Sequence, residues 1–305
     1  MVAIVLLERM QRGIEPHRDG RPMKASRGAS ALPARIAAAV GSAILGLALL
    51  FPISGATAGS GTPQFAPKLP APPSNMPLPT AGVDGGAQDS INWAGYAATG
   101  STFTSVTGVW TVPSAHCPAN KSQQAAFWVG IDGYSASDPT VQQIGTDSDC
   151  TKGKGKRAGG PSYYAWFQMF PSPNFPLPQS SYPVAPGESI TASVSAYGPD
   201  DLLRITDIGK WSFSTVQKSS ITPSNSSAEW ITEAPSSCRG SKCTVLPLSD
   251  FGSLGFGGAT ANGKAVSSFT VERLNMTNKS GKQVKAFPSS LTVGGTAFSV
   301  YWLHD

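Results

Sequence analysis

Charge is scarce in this sequence. Of its 305 residues only 13% are Asp, Glu, Lys or Arg, about half the roughly 25% usual for a soluble domain. Gly and Pro, at 33 and 26, stay below the roughly 25–30% share at which disorder becomes the default. Seven Trp, seven Tyr and 13 Phe suffice for a large core. Global disorder, a coiled coil and a polytopic membrane protein are thereby set aside.

Histidine is scarcer still, with three in the chain, His17, His116 and His304. A Ser-His-Asp or Cys-His machine needs a histidine held by partners. His17 falls in an N-terminal leader, His116 abuts a cysteine, and His304 is next to last. None stands in a G-x-S-x-G or H-E-x-x-H motif, so a histidine-based hydrolase is not the reading. Phosphate-cradling loops are missing too, because the basic run 152–157 (KGKGKR) has no strand-to-helix context. The net charge of +5 comes mostly from residues 1–58, where seven Lys/Arg face three Asp/Glu, against 16 and 15 in the remainder. A near-neutral body excludes the basic face of a nucleic-acid binder.

What is present falls into three parts. Residues 36–51 form an uncharged, mostly apolar run preceded by Arg21, Lys24, Arg27 and Arg35 and followed by Ala56-Thr57-Ala58. Basic region, apolar run and small-residue site read as a secretory signal peptide over 1–58, with Met23 an alternative start and an uncleaved anchor the rival reading. Residues 59–89 are Pro-rich, with Lys68 the one charge before Asp84, and read as a mobile linker or propeptide. From residue 90 to 305, short runs rich in Val, Ile, Thr and aromatics alternate with Gly, Pro, Ser and Asn: 103–112, 125–131, 163–170, 189–196, 228–232, 269–273 and 298–302. No apolar stripe of helical period interrupts them. Such spacing predicts one all-β domain, a sandwich or barrel. The membrane is met only in transit, and a secreted monomer is expected.

The four cysteines, Cys117, Cys150, Cys238 and Cys243, all lie in that body. An even count in an exported chain reads as disulfides. Cys238 and Cys243 enclose a tetrapeptide, leaving Cys117 with Cys150 as the simplest second bridge; a zinc site lacks ligand spacing and histidines. No metal and no cofactor are called for.

Acidic and amide residues sit inside strands that otherwise look half buried. Side chains alternate across a strand, which groups Trp128, Gly130 and Asp132; Val141, Gln143, Gly145 and Asp147; Tyr164, Trp166, Gln168 and Phe170; and Glu229, Ile231 and Glu233. If these faces line one concave sheet, they form a groove suited to an extended polymer, although each taken alone also fits an ordinary solvated strand face. A glycosidase needs carboxyls about 5–9.5 Å apart. Glu229 and Glu233, four residues apart on one strand, would stand roughly 13 Å apart, so such a pair would have to draw on Asp132 or Asp147.

The segments Asn92-Trp93-Ala94-Gly95-Tyr96, Trp128-Val129-Gly130-Ile131-Asp132-Gly133, Gln143-Ile144-Gly145-Thr146-Asp147, Tyr164-Ala165-Trp166-Phe167-Gln168, Pro186-Gly187-Glu188-Ser189-Ile190 and Ala228-Glu229-Trp230-Ile231-Thr232-Glu233 occur in the order in which the glutamic peptidases (eqolisins) carry theirs. The chain resembles that family over about residues 90–270. The resemblance implies a jelly-roll-like (concanavalin A-like) β-sandwich of two bent antiparallel sheets. It also implies an exported endopeptidase that acts in acid on polypeptides, without metal and without sensitivity to pepstatin. Gln143 matches the catalytic Gln and Glu233 the catalytic Glu, with Trp128, Asp132, Asp147, Trp166 and Gln168 at supporting or substrate-binding positions. A carboxylate can take a proton from water and return it to the leaving amine, and an amide N–H₂ can stabilise the oxyanion. A glutamate near its ordinary value of about 4.3 suits work in acid. Gln168 departs from the fungal Tyr-Ala-Trp-Tyr-Glu pattern, which implies a shifted or broadened pH optimum. A non-catalytic carbohydrate- or peptide-binding sandwich and a glycoside hydrolase are the alternatives.

Overall fold

The computed structural model describes residues 87–305 save 136, 154–158 and 240–241. The leader read over 1–58, and the segment 59–89 up to residue 86, lie outside the described residues, as does most of the basic run. The described part is built from strands. In chain order they are β1 (Ala87–Ser90), β2 (Trp93–Thr99), β3 (Ser105–Thr111), β4 (Ala126–Ile131), β5 (Val141–Thr151) and β6 (Gly160–Phe170). There follow β7 (Phe175–Pro176), β8 (Ser189–Tyr197), β9 (Asp200–Asp207), β10 (Trp211–Lys218), β11 (Ala228–Glu233), β12 (Ser236–Arg239) and β13 (Lys242–Val245). The last are β14 (Ser253–Ala261), β15 (Lys264–Ala265), β16 (Thr270–Thr277), β17 (Val284–Pro288) and β18 (Phe298–Trp302). No α-helix occurs among the described residues, and β1 begins inside the end of the segment read as linker.

The strands hydrogen-bond in the order β10-β9-β8-β3-β14-β18-β17-β16-β2-β11-β4-β5-β6-β7. Pairing is antiparallel except where β1 runs parallel to β16. The long sheet folds over itself, so that β4 and β5 pack across β8 and β9, and β11 packs across β3 and β14. This is the antiparallel sandwich the short, punctuated runs predict.

Alternation explains both faces of β4, whose six residues are all buried. Phe127, Val129 and Ile131 point into the core between the layers, with Phe103, Trp110, Ile144, Trp230 and Phe256. Ala126 and Trp128 point the other way, into a second apolar cluster with Trp93, Val141, Trp166 and Ile231. A strand covered on both faces reads as a continuous apolar run. Two indoles tie the layers together: Trp230 Nε1 donates to the Thr107 carbonyl at 2.7 Å, and Trp110 Nε1 to Thr146 Oγ1 at 3.0 Å. Both disulfides form as expected, Cys117–Cys150 and Cys238–Cys243, the latter across β12 and β13.

Candidate active site

The second cluster floors a cleft of about 380 Å³. Register explains which side chains reach it. Antiparallel pairing sets Gln143 of β5 opposite Gly130 of β4 and Gln168 of β6. It sets Glu233 of β11 opposite Ala126 of β4 and Trp93 of β2, with Asp147 of β5 next in that row. Gln143 and Glu233 therefore stand in different rows of one concave face, on the diagonal of the cleft that both line. Between them lies the ring of Trp128. Its place depends on two glycines: a Cβ at Gly145 would come within 2.1 Å of the Phe127 carbonyl oxygen and 2.7 Å of the Trp128 Cβ, and one at Gly130 within 2.9 Å of the Trp128 ring.

Glu233 is held at both carboxyl oxygens. Trp128 Nε1 donates to Oε2 at 2.9 Å, and Asn92 Nδ2 donates to Oε1 at 3.3 Å. Trp93 packs edge-on against Trp128, with ring centroids 5.0 Å apart. Burial pushes the Glu233 carboxyl up to about 7, against the lowering effect of the Trp128 and Asn92 bonds. The expectation of an ordinary carboxyl is corrected here: apolar walls on both sides disfavour the charged form.

Gln143 Nε2 donates to Gln168 Oε1 at 3.0 Å, and Gln168 Nε2 donates to the Ser172 carbonyl at 2.9 Å. The neighbouring Gln142 points to the opposite face and reaches Ser219 Oγ at 3.4 Å. At the other end of the cleft, Asp147 accepts from Trp166 Nε1 at 2.5 Å and from the Tyr164 hydroxyl at 2.7 Å. That hydroxyl also lies 3.2 Å from Asp149 Oδ2, which accepts from Gln124 Nε2 at 3.2 Å. Tyr164 has one hydrogen for two carboxyl groups, so the arrangement closes when one of them keeps its proton. Burial, then the neighbouring Asp149 charge, holds Asp147 well above the usual carboxylate range.

Of the expected site residues, Gln143, Glu233, Asp147, Trp166 and Gln168 line the cleft, with Trp128 beneath them. Asp132 does not line it. Its φ of 71° takes the chain out of strand alternation, and its carboxyl accepts the main-chain N–H of Asn225 at 2.9 Å and of Ser226 at 2.7 Å. Its place is a buried clamp between two loops. Glu229 has no exposed surface, and burial raises its carboxyl well above the ordinary range; only Glu233 of the two opens on the cleft. Tyr164 lines the cleft as its strand-face grouping predicts, and Asn92, Trp93 and Gln124, to which the sequence gave no role, line it too. The signal for Asn92 was its place at the head of the first matching segment, directly before Trp93.

The cleft thus sets a carboxyl and an amide on one concave face of a two-layer β-sandwich. The model of the Peptidase A4 family matches residues 91–302, and the chain belongs to that family, which bears out the resemblance read from the sequence. Scytalidopepsin B of Scytalidium lignicola is 31% identical over 166 residues, covering 52% of this chain and 58% of that protein. Aspergillopepsin-2 of Aspergillus niger is 31% identical over 125 residues, covering 35% and 41%. The chain thus spans about half the length of these relatives. A solved structure of scytalido-glutamic peptidase with a transition state analog inhibitor covers 70% of this chain and 99% of its own, at 24% identity and a TM-score of 0.57. The eqolisin SCP-B with the tripeptide Ala-Ile-His gives 23% identity and a TM-score of 0.53. These likenesses establish the fold.

Proposed function

We propose that the chain is a secreted endopeptidase that hydrolyses polypeptides with Gln143 and Glu233, without metal or cofactor and without sensitivity to pepstatin. The observation that carries this reading is the shared cleft, in which Glu233 is gripped at both oxygens while Gln143 presents an amide nitrogen. The ionised Glu233 takes a proton from water as the oxygen attacks the scissile carbonyl. The carbonyl oxygen, now negative, accepts from Gln143 Nε2. Glu233 then passes its proton to the leaving nitrogen, and the C–N bond breaks. Membership of a peptidase family supports the substrate class, and two disulfides suit an oxidising compartment.

A base held near 7 is scarce in ionised form in strong acid, but each ionised carboxylate is then a stronger base. The working range accordingly runs from acid toward neutral, with its acid limb set by Glu233. The test is turnover by purified protein of a denatured polypeptide beside a polysaccharide, with pepstatin and a chelator present. Peptide release unaffected by either reagent is expected. Sugar release without peptide release, or binding without turnover, would contradict the proposal.

A further inference from the structure

A primary amide has two ends of the same shape, one a donor and the other an acceptor. Gln143 can meet an oxyanion only through Nε2, so something must fix which way its amide faces. That anchor is the main chain beside the cleft. The Ser172 carbonyl can only accept, and Ser172 is itself held in a turn after β6 by its N–H to the Met169 carbonyl at 2.8 Å. Gln168 must therefore turn Nε2 toward Ser172, as it does at 2.9 Å. Its Oε1 is then aimed across the strand pair at Gln143, which answers with Nε2 at 3.0 Å. A flipped Gln143 would set two carbonyl oxygens against each other. Nε2 carries two hydrogens; one goes to Gln168 and the other is left for the cleft.

We propose that Gln168 is the positioning residue for Gln143, a neutral relay that carries a fixed orientation from the Ser172 carbonyl to the amide facing the scissile bond. The inference rests on the Gln143/Glu233 reading and extends it. Titratable groups on every side of this relay are Asp138, Asp147, Tyr164 and Glu233, which line the same cleft, and Glu229, in register with Gln143 across Gly130. Gln168 keeps its donor and its acceptor whatever those groups do with their protons. An ionised carboxyl in its place would still accept from Gln143 Nε2. It would have nothing to donate to Ser172 and would set a charged oxygen against that carbonyl, so its hold on the main chain lasts only while it is protonated.

Three variants test the relay, each checked for a cooperative thermal transition and for its full pH–rate profile. Gln168→Met keeps the length and removes both bonds; kcat should fall by about 10- to 100-fold, less than the roughly 100- to 1,000-fold of losing an oxyanion donor outright. KM should change by no more than about threefold, since an interaction made in the transition state is lost. Gln168→Glu should recover kcat in acid and lose it as the new carboxyl ionises. A Gln168→Met enzyme with wild-type kcat and profile would overturn the relay, as would Gln168→Glu and Gln168→Met enzymes equally slow at every pH. Glu233→Gln separates the two readings. If it is inactive, either of those results refutes the relay alone; if it is fully active, the dyad and the relay fall together.

Discussion

Raising the pH should weaken this fold well before any lysine or tyrosine titrates. Asp132 shows the mechanism. Its side chain has no exposed surface and accepts from Asn225, Ser226 and Thr140. Burial, then its bond to Asp138, lifts it from an ordinary 3.8 to about 7. A carboxyl raised in the folded state stabilises the fold fully below its unfolded value and ceases to do so as pH rises through the folded one. At about 1.4 kcal/mol per pH unit, that gap corresponds to about 4 kcal/mol lost between acid and mildly alkaline solution. For a domain of this size roughly 2–4 °C accompanies each kcal/mol, so Tm should drop by roughly 8–16 °C on this account alone. Thermal unfolding followed by circular dichroism across that pH range measures it. Asp132→Asn cannot ionise, so its Tm should depend less on pH, while one mispaired amide end lowers Tm in acid by the equivalent of about 1–3 kcal/mol. A wild-type Tm that stays level from acid to mildly alkaline pH, or an Asn variant with the wild-type slope, would show that Asp132 does not couple folding to pH.

Other perturbations have equally direct readouts. Trp128→Phe removes the indole bond that lowers the Glu233 carboxyl, so the acid limb of kcat/KM should move to higher pH; an unmoved limb would show that this bond does not tune the base. Gly145→Ala would press a methyl against the Phe127 carbonyl and should cost about 1–3 kcal/mol or more, read by urea unfolding. Opening Cys117–Cys150, which spans 33 residues, should cost roughly 4 kcal/mol, and opening Cys238–Cys243, which spans five, roughly 2 kcal/mol by loop-closure entropy. Because Cys238 lines the cleft, the second change should also raise KM.

The strands of the sandwich were legible as short Val-, Ile-, Thr- and aromatic-rich runs between turn residues, and alternation then sorted their faces, with Phe127 and Val129 against Trp128 and Ile144 against Gln143. Gln143 and Glu233 were legible only through the order of whole segments, since nothing local distinguishes Glu233 from Glu229. The structure separates them by burial, a tertiary property. Asn92 escaped because its partner is 141 residues away and meets it only once β2 pairs with β11. Asp132 was grouped with Trp128 by simple alternation, which a positive φ at the strand end breaks. The shift of the Glu233 carboxyl was out of reach for the same reason as its burial: the walls that desolvate it come from separate strands, β2, β4 and β11.

The most direct measurement is turnover of a denatured polypeptide by wild type and by Glu233→Gln, across acid to neutral pH with pepstatin present. With Glu233 as the base, the wild-type rate should rise with pH through its carboxyl and the folded variant should have no activity. Equal rates in the two proteins would contradict it and place the chemistry elsewhere.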